Sequence, residues 1–317
     1  MRFFLLLLTT LLFPSLSHAQ DVGHPVALSD KVSAGDKYMG IRLLNTLILR
    51  GPAELAELSD LAWDEDEEIL YGVTDRGLLL HLQPIMEQSR LTGMKLLRHF
   101  RLRDKKGKKL RNSAADSEGL ALEKSTNGIK GDSTLAISFE RYNRVDLYSP
   151  EGQHRRGVKL PLSLRDPRFY LNSNKGLEAL ARHPDFGYMT GPEKSKHGGS
   201  IPIFSQFGQS WNYQPLEPYG ALVALEALDD GRLLLLERSF NSVFEPVVIS
   251  LSSARPATNN TGSTLQTKLL ARFDSTQGWQ TQNIEGLTRY RGNRFFMVSD
   301  NGGAGYLQTQ LLYFEVL

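Results

Sequence analysis

Apolar positions in this chain come in short runs, not long stripes. Runs at 61–63, 69–74, 78–82 and 95–103 are separated by polar segments such as the acidic turn 64–68. Runs of that length, bounded by turn residues, predict strands. No long window carries the 3.6-residue period of a helix. The grouping then recurs at 119–122, 134–139, 144–148 and 158–162; at 178–182, 186–190, 200–204 and 210–216; and at 221–227, 232–237, 246–251 and 267–273. A last group, 285–290, 294–299 and 311–317, is one strand short. Sets of four short strands are the signature of propeller blades. The missing strand is expected from residues 37–50, an extended stretch stopped by Gly51-Pro52. The expected fold is all-β: a single β-propeller of five blades, its ring closed by an N-terminal strand that joins the C-terminal blade. Closure removes the open sheet edge that invites aggregation. A sixth blade fits only if 90–116 or 251–283 hides further strands. The Ser/Thr/Asn-rich stretch 252–263 predicts an exposed loop.

The ends divide differently. Arg2, the apolar run 3–13 and the small residues before Ala19 predict a cleavable signal peptide over 1–19. Residues 20–36 predict a flexible N-terminal arm, and 37–317 the propeller domain. Export to the periplasm or the medium is the expected location, with no stable membrane insertion after cleavage. With no cysteine in the chain, no disulfide staples it, and a domain of this size can bury a large core without one. A formal net charge of +2 disfavours nucleic acid as the partner.

The chemistry lies in acids that recur with the blades. Glu118, Glu178 and Glu285 each stand just before a predicted first strand, with Asp60 shifted by one place. Asp75, Glu140, Glu193, Glu237 and Asp300 stand at the ends of second strands. First strands line a propeller's channel, so these side chains are expected to converge on one axis. Carboxylates so placed repel one another unless a cation sits among them. Oxygen ligands without cysteine favour a hard ion, Ca²⁺ before Mg²⁺. Glu118, Glu178 and Glu285 are the expected metal ligands, and Asp300, Glu140 and Glu237 the expected catalytic groups. The bland alternative is that the repeated acids cap backbone amides. Arg76, Arg141 and Arg238 each follow a terminal acid, as Lys194 does, and are expected to hold a phosphate. The competing reading is salt bridges between adjacent blades. The basic run 101–111 could hold a polyanion, but reads more simply as a solvated loop. The chain has no Gly-x-Ser-x-Gly elbow, P-loop or His-Glu-x-x-His site.

Taken together, Asp116-Ser117-Glu118-Gly119-Leu120, Ser138-Phe139-Glu140-Arg141, Asn174-Lys175-Gly176-Leu177-Glu178-Ala179-Leu180, Leu236-Glu237-Arg238, Asn283-Ile284-Glu285-Gly286-Leu287 and Ser299-Asp300-Asn301-Gly302 resemble the phytase-like family, with its esterase-like activity of phytase. Glu-Gly-Leu ahead of an inner strand is also distantly similar to gluconolactonase-type propellers. The family resemblance implies an exported β-propeller with a phosphoesterase activity resting on its acids. Asp60 departs from that pattern. The expected function is an exported, metal-dependent phosphoesterase acting on a small phosphorylated or ester substrate. The alternatives are a non-catalytic propeller that binds a small ligand or a protein partner, and a lactonase or sugar-ester hydrolase.

Overall fold

The computed structural model describes residues 19–240, 245–258, 261–303 and 307–317, and the expected signal peptide lies outside them but for Ala19. Its sheets form five blades of antiparallel strands. Blade one runs Leu58–Asp64, Ile69–Thr74, Leu78–Glu87 and Arg90–Arg101. Blade two runs Ser117–Glu123, Thr134–Phe139, Arg144–Tyr148 and His154–Gly157. Blade three runs Leu177–His183, Gly187–Pro192, Ile201–Ser205 and Ser210–Tyr213. Blade four runs Gly220–Ala227, Leu233–Ser239, Val248–Ala254 and Thr267–Asp274. Blade five runs Asn283–Arg291, Arg294–Asp300 and Thr309–Val316, and takes Ile41–Leu49 as its outer strand. Leu49 pairs with Thr309 and Ile41 with Val316, so the N-terminal strand closes the ring as its pattern predicts.

Each inner strand touches the next, and the last touches the first. The core is correspondingly divided among the seams between blades. Leu61, Leu120, Leu180, Leu225 and Leu287, one from each inner strand, are all buried. Leu47, Leu311 and Tyr313 of blade five pack on Leu58, Leu80 and Leu82 of blade one. Trp211 and Tyr213 pack on Leu222 and Leu235 across the next blade boundary, and Tyr170 on Leu180 and Tyr188.

Three expectations need correction. Of residues 20–36, expected as a flexible arm, 20–25 are laid against the closure seam. Gln20–Asp21 pairs with blade one's outer strand, and Gly23–Pro25 with blade five's. Val22 between them is fully buried. One short segment thus stitches together blades five and one, which the chain also joins directly through residues 50–57. Residues 158–162 do not form blade two's outer strand; His154–Gly157 does, and Pro161 precedes a single helical turn at Leu162–Arg165. The loop expected at 252–263 shortens, because Val248–Ala254 extends into it and Ser263–Thr264 crosses over to pair with blade three's outer strand. Neither 90–116 nor 251–283 hides a sixth sheet among the described residues. Among those residues, no helix is long and apolar enough to cross a membrane.

Candidate functional site

The Glu-Gly-Leu motif has a geometric cause. Every inner strand carries a register shift near its start: at Ser59 in blade one, Glu118-Gly119 in blade two, Glu178-Ala179 in blade three, Val223 in blade four and Glu285 in blade five. A bulge inserts an unpaired residue and re-aims its side chain. The residue after it faces a neighbouring inner strand at close range. A Cβ on Gly119 would lie 2.6 Å from the Glu178 carbonyl, and one on Gly286 would lie 2.9 Å from the Asp60 Cα. Glycine is therefore required beside Glu118 and Glu285, because blades meet there.

Pairing sets the terminal acids. Thr74, Phe139, Pro192 and Ser299 lie opposite Leu58, Ser117, Leu177 and Ile284, so Asp75, Glu140, Glu193 and Asp300 follow at equivalent places. In blade four the residue opposite Leu222 is Glu237 itself. Blade four is offset by one, and Arg238 holds the place that an acid holds elsewhere. Glu237, expected to be catalytic, is fully buried and accepts bonds from the Tyr213 hydroxyl, from Leu216 N at 2.8 Å and from Glu217 N at 2.8 Å. It clamps the connection between blades three and four.

The remaining acids converge, in two groups. One is Asp75, Asp116 and Glu118, with a carboxylate oxygen from each within 4.8 Å of the others. The second is Glu140, Glu178 and Glu193, at the same spacing and more deeply buried. Glu285, grouped with Glu118 and Glu178 by sequence, is instead bound by the Arg238 guanidinium. Arg238 also reaches Glu193 at 2.9 Å, and Lys175 reaches Glu193 at 2.5 Å. Glu140 accepts from Gly176 N at 3.1 Å, Asp300 from Gly302 N at 2.8 Å, and Asp75 from the Ser59 hydroxyl at 2.5 Å. Among the described residues no hydrogen bond or ion pair engages the carboxylates of Glu118 and Glu178.

Burial first, and then like charge nearby, raises the acids' proton affinity. Burial, then Asp300, pushes Asp75 up to about 8. Burial lifts Glu140 to about 7, against the pull of Gly176 N. Burial, partly offset by Arg238, lifts Glu285 to about 7. Burial and then Glu178 push Glu118 well upward; burial and then Glu193 do the same to Glu178.

Asp60, the residue that departs from the motif, has a different role. It stands one place beyond the bulge, where other blades have Gly or Ala, and its carboxylate crosses to its neighbours. It accepts from Leu61 N at 2.8 Å, Leu120 N at 2.8 Å and Leu287 N at 3.0 Å, tying three blades together. Burial outweighs those donors and lifts it to about 8.

Asp75 and Asp116 open onto a cleft of about 780 Å³ between blades one and two. Its walls include Arg76, Arg101, Lys109, Arg111 and Arg141. Arg76 is paired with Glu57, and Arg141 with Asp116. No ion pair among the described residues holds Lys109 or Arg111. Of the expected phosphate-binding arginines, Arg76 and Arg141 therefore line the cleft, whereas Arg238 lies half-buried among the acids. Sequence reasoning passed over Asp116 and discounted 101–111 as solvated loop. Asp116's place two residues before Glu118 was the available signal. The opposite mouth of the channel holds a smaller cavity, about 320 Å³, lined by Trp63, Arg182, Glu226, Arg289 and Arg291, and no expected site residue reaches it.

An oxygen-only triad with an unengaged carboxylate and an open side fits a hard divalent cation. A family model described as "Phytase-like: Esterase-like activity of phytase" matches residues 53–303. A PQQ-bound aldose sugar dehydrogenase from Streptomyces coelicolor is 14% identical, with 89% of this chain and 99% of that chain covered and a TM-score of 0.44. A virginiamycin B lyase from Staphylococcus aureus is 8% identical, with 94% and 100% covered and a TM-score of 0.41. No curated protein matches the chain.

Proposed function

We propose, from the premise that this chain belongs to the phytase-like family, that it is an exported, metal-dependent hydrolase of small phosphoric esters. The observation that carries this reading is the adjacency of a carboxylate triad and a basic cleft. Asp75 and Asp116 belong both to the acid cluster and to the cleft wall. Asp75, Asp116 and Glu118 would hold Ca²⁺, with Mg²⁺ second. When bound there, the ion supplies Lewis-acid charge for a phosphoryl oxygen and a more acidic water. Arg76, Arg111 and Arg141 bind the phosphate with guanidinium forks suited to its oxygens, and Lys109 adds an ammonium point charge. Asp300, buried beside Asp75 and held by Gly302 N, accepts the proton of the attacking water. The water oxygen bonds to phosphorus, the ester P–O bond breaks, and the departing alkoxide is protonated from the solvent-filled cleft.

Purified protein assayed on phosphomonoesters and phosphodiesters, with and without chelator, tests the reading. Chelator-sensitive turnover is expected, and Asp75→Asn should lower kcat more than about 100-fold, the upper end of what changes outside the ligand shell cost. Turnover unaffected by chelator, or absent on every ester, rejects it. One observation favours a second reading, a non-catalytic binding propeller: Arg238 and Lys175 already neutralise part of the ring.

A further inference from the structure

The acids around the channel mouth are not equivalent once charges are assigned. On the blade one and two side, Asp75, Asp116 and Glu118 have Arg141 as their nearby cation, paired with Asp116 at the exposed rim. On the side of blades three to five, a guanidinium is built into the ring itself. Arg238 comes from the one blade whose register is offset, and Val223 takes the bulge place occupied by Glu118, Glu178 and Glu285. Its side chain is 14% exposed. Its nitrogens engage Glu193, Glu285 and the Asn283 side-chain oxygen. Beside it, Glu178 is only 8% exposed and its carboxylate has no hydrogen bond or ion pair among the described residues. A buried carboxylate left like that points to a charge that the guanidinium supplies from close by without direct contact.

We propose that Arg238 is a resident cation that occupies the blade three to five half of the acid ring and thereby confines a divalent ion to Asp75, Asp116 and Glu118, where the cleft opens. The inference rests on the metal-binding reading above and deepens it. Arg238 acts through the carboxylates it holds, so it is a positioning residue. Removing it leaves Glu178, Glu193 and Glu285 with Lys175, on Glu193, as the cation still paired to them among the described residues, and a divalent cation satisfies such a set of carboxylates better than that single ammonium does.

The test is the number of Ca²⁺ ions bound per chain, measured by equilibrium dialysis and calorimetry with Ca²⁺ alone as the probe. Wild type should bind one ion, and Arg238→Gln a second. The double variant Arg238→Gln with Glu178→Gln should return to one, and Arg238→Lys, which keeps the charge, should stay at one. The melting temperature of Arg238→Gln should depend on Ca²⁺ more steeply than that of wild type. An equal ion count in wild type and Arg238→Gln overturns the proposal while leaving the metal-dependent hydrolase standing. No ion in wild type but one in Arg238→Gln removes the catalytic metal and supports Arg238 as the resident cation. Failure of Arg238→Gln to fold at any Ca²⁺ concentration also counts against it, because an ion should replace the guanidinium's charge.

Discussion

Asp60 shows how one side chain can hold a ring together. Three inner strands present backbone N–H groups to its carboxylate, two of them from neighbouring blades. A buried donor left without an acceptor costs about 1–3 kcal/mol. Asp60→Asn keeps the shape but can put an NH₂ where an oxygen faced Leu120 N. Denaturant unfolding should show a loss of about 1–3 kcal/mol, with Asp60→Ala losing at least as much. An unchanged midpoint would remove Asp60 from the list of structural residues. The same scale shows what could be read in advance. Glu118, Glu178 and Asp300 were legible because their neighbours repeat. Glu237 was misassigned because Glu-Arg repeats the acid–base pair of other blades, and nothing local reveals the offset. One residue of register moves a side chain to the other face, so blade four delivers Arg238 where its sequence advertises an acid.

Strand positions were legible because each strand buries one or both faces, which leaves apolar runs of strand length. Thr134–Phe139 and Arg144–Tyr148 fall where the pattern puts them. The elements that hid are those whose stability comes from pairing, not from composition. The polar segment at 20–25 gives no apolar signal apart from Val22, yet forms strands on two blades. The loop after Arg101 is likewise uninformative by composition, because a basic run reads the same whether solvated or lining a cleft. Its bond from Leu102 N to the Gly77 carbonyl, at 3.0 Å, anchors it beside Asp75 and Arg76. Replacing Lys109 and Arg111 together by Ala should raise KM for a phosphomonoester by about 100-fold or more with kcat little changed, since charge-assisted bonds carry about 1.5–3 kcal/mol each and about 1.4 kcal/mol is a factor of ten. Added salt should raise the wild-type KM towards that of the variant. A KM that ignores both changes places the substrate elsewhere. Within the core, Leu47→Ala at the closure seam should cost about 2–5 kcal/mol, because Leu47 is fully buried against blade one.

For the whole molecule, the decisive property is negative charge gathered where the blades meet. Asp60 and Asp75 are raised to about 8, and Glu140 and Glu285 to about 7, from ordinary values near 4. A carboxyl whose folded pKa is raised contributes stability that is complete below its unfolded pKa and is lost as pH climbs through the folded one. Between about pH 4 and pH 8 the unfolded chain gives up these protons first. The native ring keeps them until repulsion is forced on it. Without metal, the melting temperature should therefore fall across that window. A divalent ion competes with protons for the same oxygens, so it binds the deprotonated ring best. At about 100 times its Kd, a bound ligand adds roughly 2.7 kcal/mol. The Ca²⁺-induced rise in melting temperature should accordingly be small near pH 5 and largest near pH 8. Thermal scans by circular dichroism, with chelator and with saturating Ca²⁺, measure both trends. A melting temperature that rises with pH in chelator would mean that Arg238 and Lys175 already hold the ring ionised, and that its acids need no ion from outside.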